Sequence, residues 1–420
     1  MTSTASTTLE TPGFARFIAA NARWLGAGFL LTASSSFGQT WFISLFAGEI
    51  QAKHALSDGA WGSLYTVATL ASATLLFWRG DWADRVPFAA LVAVISMAFA
   101  SALVLFAFAP TVWLLGVALF GLRFCGQGMF THIAMTAMGR WFAAHRGRAV
   151  AITNLGHPLS EIILPPTVVL AIATVGWQPT LAFSAFLLAI PIALALRRLL
   201  SGSRTPKSVE ENMDTPGLFG RHWTRADARR HWLLPALVPV LLTPGFIGTV
   251  IFFHQVHIAD QKGWTLLAMT PGYASFAGLA ILFSILSGLA SDRFGPHRLL
   301  PFLLLPMGLG IALLGPASDI WHWYAALGLL GISQGISNAL AGVLYPFVYG
   351  TRHLGSIRSM ATTIMIFSTA IGPGITGILI DRGIPFAAQA PFMGAWCFVF
   401  SLLCLWISVR LNKQIGVQAA

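Results

Sequence analysis

Gly80-Asp81-Trp82-Ala83-Asp84-Arg85 closes one apolar run, and Gly288-Leu289-Ala290-Ser291-Asp292-Arg293-Phe294-Gly295-Pro296-His297-Arg298 closes another 208 positions later. In each copy a Gly is followed four residues on by Asp-Arg, directly after a hydrophobic stretch. A charged turn used twice in this way marks a duplicated chain, and repetition decides the architecture before any single motif does. Other residues keep the same step. Tyr65 and Tyr273 are 208 apart, Gln127-Gly128 and Gln334-Gly335 are 207 apart, and Arg148 and Arg358 are 210 apart.

The runs between these markers are membrane spans. Charged residues make up 9% of the chain and mean hydropathy is +0.74, whereas a soluble domain carries about 25% charge. A helical span needs about 20 mostly apolar residues. Twelve such stretches lie near 24–47, 59–78, 87–109, 112–138, 149–173, 178–199, 233–257, 265–289, 299–316, 321–348, 357–380 and 388–410. They are too continuously apolar for a barrel, and unpaired amides do not survive in hydrocarbon, so they are read as helices. The expected fold class is an all-α membrane protein with two pseudo-symmetric six-helix halves. Its expected parts are an N-terminal tail (1–23), a first bundle (24–200), a linker (201–232), a second bundle (233–411) and a C-terminal tail (412–420).

Basic residues test that count. With the N-terminus inside, 21 Lys and Arg fall in inside loops and only Lys53, Lys262 and Arg382 fall outside. Cytoplasmic loops are the basic ones, so both tails and the linker are expected in the cytoplasm. The net charge of +11 then reports topology and not a nucleic-acid partner, because the charges are spread over short loops. Cys125, Cys397 and Cys404 all fall within spans, which argues against a disulfide framework. No cleavable leader, Walker loop or nucleophile elbow is present, so neither ATP-driven pumping nor an enzyme is expected, and no cofactor.

Ionisable groups at membrane depth are functional candidates, since each costs some ~2.5–3.5 kcal/mol to insert. Among fully charged types only Arg123 and Glu161 qualify. Arg123 lies roughly 16 Å into the fourth span and Glu161 roughly 18 Å into the fifth, at the helical rise, so both sit near the midplane of antiparallel neighbours. His157 is one turn from Glu161, and His132 is nine residues beyond Arg123. Two readings stand. In one, Glu161 takes up a proton with His157 and His132 as relays, while Arg123 holds an anion. In the other, Arg123 and Glu161 form a permanent buried pair that fixes helix packing.

At these residues the chain resembles the major facilitator superfamily over nearly its whole length. Gly288, Asp292, Arg293, Gly295 and Arg298 are similar to its loop signature, while the first copy has Val86-Pro87 in place of the expected x-Gly. Arg123 with Gly126-Gln127-Gly128 is similar to its fourth-helix pattern. Arg146-Gly147-Arg148-Ala149 and Ile380-Asp381-Arg382-Gly383 resemble, more weakly, the monocarboxylate and oxalate–formate branch.

The resemblance implies a secondary active transporter working as a monomer in a bacterial inner membrane. It implies that spans one, four, seven and ten line the path. It also gives Asp84, Arg85, Gly288, Asp292 and Arg293 a gating role. Expected substrate contacts are Arg123, Gln39, Asn338, Gln334, Tyr345, His254 and His257. His254, His257 and Asp260 have metal-type spacing, but a zinc site needs tighter geometry and a fourth ligand, so no metal is assigned. The expected partners are a small organic anion, a proton and the bilayer. Proton-coupled efflux of amphipathic cations and a transporter-shaped solute receptor are the alternatives.

Overall fold

The computed structural model describes residues 14–142, 146–201 and 215–419. Eleven helices in it are long and apolar enough to cross a membrane: α2 (Asp58–Arg79), α3 (Phe88–Phe108), α4 (Val112–Trp141), α5 (Gly147–Val175), α6 (Trp177–Leu200), α7 (Leu233–Phe253), α8 (Leu266–Phe294), α9 (Pro296–Leu314), α10 (Ile320–Tyr349), α11 (Leu354–Asp381) and α12 (Phe386–Ile415). The first span is missing from that set because it is broken. Helix α1 (Phe14–Ser34) passes into a 3₁₀ turn at Ser35–Gly38, an extended Gln39, and short helices at Thr40–Ser44 and Ala47–His54. The expected tail 1–23 is therefore helical from Phe14. The expected C-terminal tail is helical too, since the last helix runs to Ala419. Of the expected linker, 202–214 lie outside the described residues.

Two glycines explain the break. A Cβ on Gly126 would come within 2.7 Å of the Gly38 Cα, so α1 and α4 cross backbone against backbone. At the crossing α4 widens into a π-helical turn over Arg123–Phe130, a feature frequent at functional sites. At the break the Ser35 hydroxyl donates to the Thr32 carbonyl at 2.7 Å, while the Ser34 and Ser36 hydroxyls are buried without a partner.

Outward faces are apolar, with Trp113 87%, Phe77 82% and Phe392 77% exposed. In a soluble protein such residues would form aggregation-prone patches; here they meet lipid. The two halves meet mainly through α2 against α11 and α5 against α8. Small residues make the first seam: a Cβ on Gly62 would lie 2.8 Å from the Pro373 carbonyl carbon, and one on Gly377 would lie 2.7 Å from that of Asp58. Small residues let helices approach in this way.

The ends of the bundle differ. Among the described residues, the hydrogen bonds and ion pairs that join the halves run from the Asp58 end of α2 as far as Thr66, whose hydroxyl donates to the Ala370 carbonyl at 2.7 Å. This far end is closed. Beyond it, toward the linker end, Asn338 on α10 stands exposed.

From Thr215 onward the described part of the linker is strapped to the second half. The Thr351 amide donates to the Thr215 carbonyl at 3.0 Å, and the Trp223 amide to the Tyr349 carbonyl at 3.2 Å. A capping box of Thr224 and Asp227 starts the short helix Arg225–Arg230.

Candidate transport site and gates

Arg123 occupies the π-helical turn of α4 and is 1% exposed. Its Nη1 donates to the Gly38 carbonyl at 3.1 Å and to Thr40 Oγ1 at 3.4 Å. Its guanidinium carbon lies 5.1 Å from the centre of the Tyr65 ring, and the Tyr65 hydroxyl shares a 2.6 Å hydrogen bond with Thr40. The break in α1 exposes the carbonyl that Arg123 takes. Nε and Nη2 are buried and find no partner. Among the described residues no carboxylate pairs with this arginine.

Glu161 lies instead beside His157, with Nδ1 to Oε1 at 3.6 Å and the two side chains 31% and 13% exposed. Depth alone allowed Arg123 and Glu161 to meet; in this conformation they do not pair. His132 also turns elsewhere. Its Nε2 is 2.9 Å from the Gly80 carbonyl, so it ties α4 to the first charged turn.

The other expected contacts divide into two groups. Gln39 is half-buried at the break in α1. Gln334 Nε2 donates to Asn338 Oδ1 at 2.9 Å on the open side of α10. Tyr345 is buried, and it lines a largely apolar cavity with Ser337, Thr362 and Arg358. Among the described residues, none of these joins the hydrogen bonds and ion pairs of the far end.

His254 and His257 do. His254 Nε2 is 3.2 Å from the Pro373 carbonyl, and His257 Nδ1 is 3.1 Å from Asp58 Oδ2. Both belong to the closed far end, and among the described residues no metal-binding group forms there.

Sequence reasoning missed most of that far end. The Ser44 hydroxyl and the Phe252 carbonyl are hydrogen-bonded across the halves. Gln255 Nε2 donates to Ser44 Oγ at 2.7 Å and to the Trp41 carbonyl at 3.0 Å, and the Tyr273 hydroxyl donates to Gln255 Oε1. Asp381 Oδ2 accepts from Ser57 Oγ at 2.7 Å and from the Gly59 amide at 3.0 Å. It caps a helix of the opposite half, as an acid at a helix N-terminus favours. The repeated tyrosines are exchanged partners: Trp41 packs on Tyr273 at 5.9 Å and Phe253 on Tyr65 at 4.7 Å, ring centre to ring centre. The 208-residue step flagged both tyrosines without revealing this role.

Arg85 pairs with Asp81 at 2.8 Å within its own turn, and the Asp84 side chain lies outside the described residues. Asp292 is exposed, and Arg293 rests 5.3 Å over the Phe294 ring. Gly295, at φ +86°, turns the chain out of α8, a conformation that favours glycine. Nearby in the linker, burial and the Arg410 charge hold His231 below the usual histidine range. Hydrogen bonds from Thr224 hold Asp227 below the usual carboxylate range.

Two helical halves, closed at one end around a buried cation and an ionisable pair, define a multi-pass membrane transporter and not an enzyme. Residues 28–281 and 253–419 match the Major Facilitator Superfamily, and the chain belongs to that superfamily. It is 25% identical over 93% of its length to the multidrug resistance protein MdtG of Proteus mirabilis, covering 94% of that protein. It is 26% identical to the uncharacterized MFS-type transporter YkuC of Bacillus subtilis, over 33% of this chain and 32% of that protein.

Its fold is similar to a bacterial homologue of the human lysosomal transporter Spinster in an inward-facing, unoccupied conformation. That likeness has a TM-score of 0.65 and 16% identity, covering 95% of this chain and 96% of that one. It is also similar to the nucleoside transporter NupG, with a TM-score of 0.69 and 13% identity over 92% and 98% of the two chains.

Proposed function

We propose that this protein moves a small carboxylate-like organic anion together with a proton across the bacterial inner membrane. Both termini and the linker face the cytoplasm in this reading, which the basic residues of the linker-end loops support. The open linker end is then the cytoplasmic mouth, and the far end is periplasmic.

The observation that carries the reading is Arg123. A buried guanidinium with two N–H groups unpartnered is costly, and an anion would satisfy both in one planar contact. Glu161 leaves that charge unneutralised and is itself partly exposed beside His157, where it can exchange a proton. Anion and proton loading would together favour rocking of the halves about the α2–α11 and α5–α8 contacts. Asp84, Arg85, Gly288, Asp292 and Arg293 would then close the cytoplasmic mouth.

A second reading, proton-coupled efflux of amphipathic cations, is favoured by the similarity to the multidrug resistance relative over 93% of the chain. In that case Glu161 holds the cargo's charge.

Uptake by proteoliposomes under an imposed proton gradient tests the proposal, using a panel of short carboxylates and lipophilic cations. The expected outcome is accumulation of a carboxylate, abolished by Glu161→Gln while exchange of the same solute continues. Arg123→Ala should weaken its apparent affinity roughly tenfold to a hundredfold, the usual worth of a charge-assisted hydrogen bond. Gradient-driven uptake left intact in Glu161→Gln would refute the coupling role. Movement of cations alone would move the protein to the efflux reading.

A further inference from the structure

The far end holds an ionisable pair that the Arg123 and Glu161 chemistry does not use. His257 sits on the helix Gln255–Lys262 of the second half, and Asp58 opens α2 of the first. Their 3.1 Å contact therefore spans the boundary that must part when this end opens. The side chains are 20% and 22% exposed, so the pair lies at the mouth. Gln51 Nε2 donates to Asp58 Oδ1 at 3.2 Å, fixing the carboxylate and leaving Oδ2 for the imidazole.

His257 offers Nδ1 to Asp58, while Nε2 is buried and without a partner. Nδ1–H can therefore stay on the carboxylate in both protonation states, and the titrating proton joins or leaves at Nε2. With it the contact is an ion pair; without it, a neutral donor on a carboxylate. The charged form is the stronger.

Other ionisable groups surround the pair. Asp381 on α11 is held by Ser57 and Gly59, next to Asp58, and Glu49 lies on the short helix packed before α2. His254, 6.5 Å away ring to ring, opposes uptake when charged but is turned to the Pro373 carbonyl. Lys53 and His54 follow Glu49, and Asp260 and Lys262 follow on the helix of His257.

We propose that Asp58 and His257 form a second proton-binding site, which locks the far end shut when His257 is charged. This rests on the alternating-access reading above, but not on the identity of the cargo. The proton enters when the halves are parted and both groups meet water, and closure traps it. By linkage, protonation stabilises closure as strongly as closure favours protonation. The lock is set when His257 carries the second proton and released when that proton is lost.

Spin labels at Ala52→Cys and Gln261→Cys, one exposed position in each half, would report the far-end distance by pulsed electron resonance. The measurement uses the full chain in lipid nanodiscs without any solute, from pH 5.5 to 8.5. The closed-distance population should fall about fivefold relative to the open one as pH rises, the scale of one partly exposed ion pair. His257→Gln and Asp58→Asn should flatten the titration, and His257→Lys should hold the end closed throughout. A flat profile in the unsubstituted protein overturns the proposal. So does a titration that survives in both His257→Gln and Asp58→Asn, which would transfer the response to Glu161 and His157. Absence of carboxylate uptake in proteoliposomes would strike the anion reading and leave this result standing.

Discussion

At the far end the halves are joined by Asp58 to His257, Asp381 to Ser57 and Gly59, and Gln255 to Ser44. At the linker end two arginines of the charged turns rest on their own half: Arg85 bonds Asp81, and Arg293 covers Phe294. The difference is one of state. A transporter that rocks must form one set of cross-contacts as it breaks the other, and each set must be weak enough to break. The far end meets this with several modest polar contacts beside a glycine seam and a cluster of aromatic rings from both halves. The linker end keeps exposed acids and arginines in reserve.

The largest expected effect comes from wedging the seam. Gly62→Leu would press a side chain onto the Pro373 backbone, which no rotamer avoids. Overpacking costs about 1–3 kcal/mol, so the far-end closed population should drop roughly tenfold to a hundredfold, and uptake with it. The far-end spin-label distances check this, with a melting curve to confirm folding; an unchanged distribution would mean the seam is not what sets closure.

A paired substitution sharpens the contrast between the ends. Asp381→Asn weakens a charged helix cap and should lower the far-end closed population about threefold to tenfold. Asp292→Asn should raise it by a similar or smaller factor if, as proposed, Asp292 closes the opposite end. Shifts of the same sign in the two variants would sink the reciprocal picture.

The smallest effect concerns the linker strap. His231 packs between Trp223 and Tyr349 with its pKa held below the ordinary value, so the docked linker prefers the neutral ring. The strap is at full strength above the ordinary histidine range and loosens as pH falls below it. Exchange of the Trp223 amide, corrected for intrinsic rate, should quicken a few-fold between pH 7.5 and 5, and far-end distances in His257→Gln should not follow it.

Much of this was legible in the chain itself. Burial of backbone in hydrocarbon is a local demand on each stretch, so spans, halves and the basic end could be read from composition and repeat. The first span shows the limit. Its break depends on Gly38 meeting Gly126 from another helix, and no window around residues 24–47 contains that fact. The same holds for His132, whose partner Gly80 is 52 positions away.

The sequence by itself determined which residues lie at membrane depth, that the chain is doubled, and that Arg123 and Glu161 are its costly charges. Only the tertiary structure decided whom they face. Depth follows from counting along a helix, at about 1.5 Å per residue, but direction turns by about 100° at each step. Helix rotation and crossing therefore sent Arg123 to Gly38 and Tyr65, Glu161 to His157, and His257 across the boundary to Asp58.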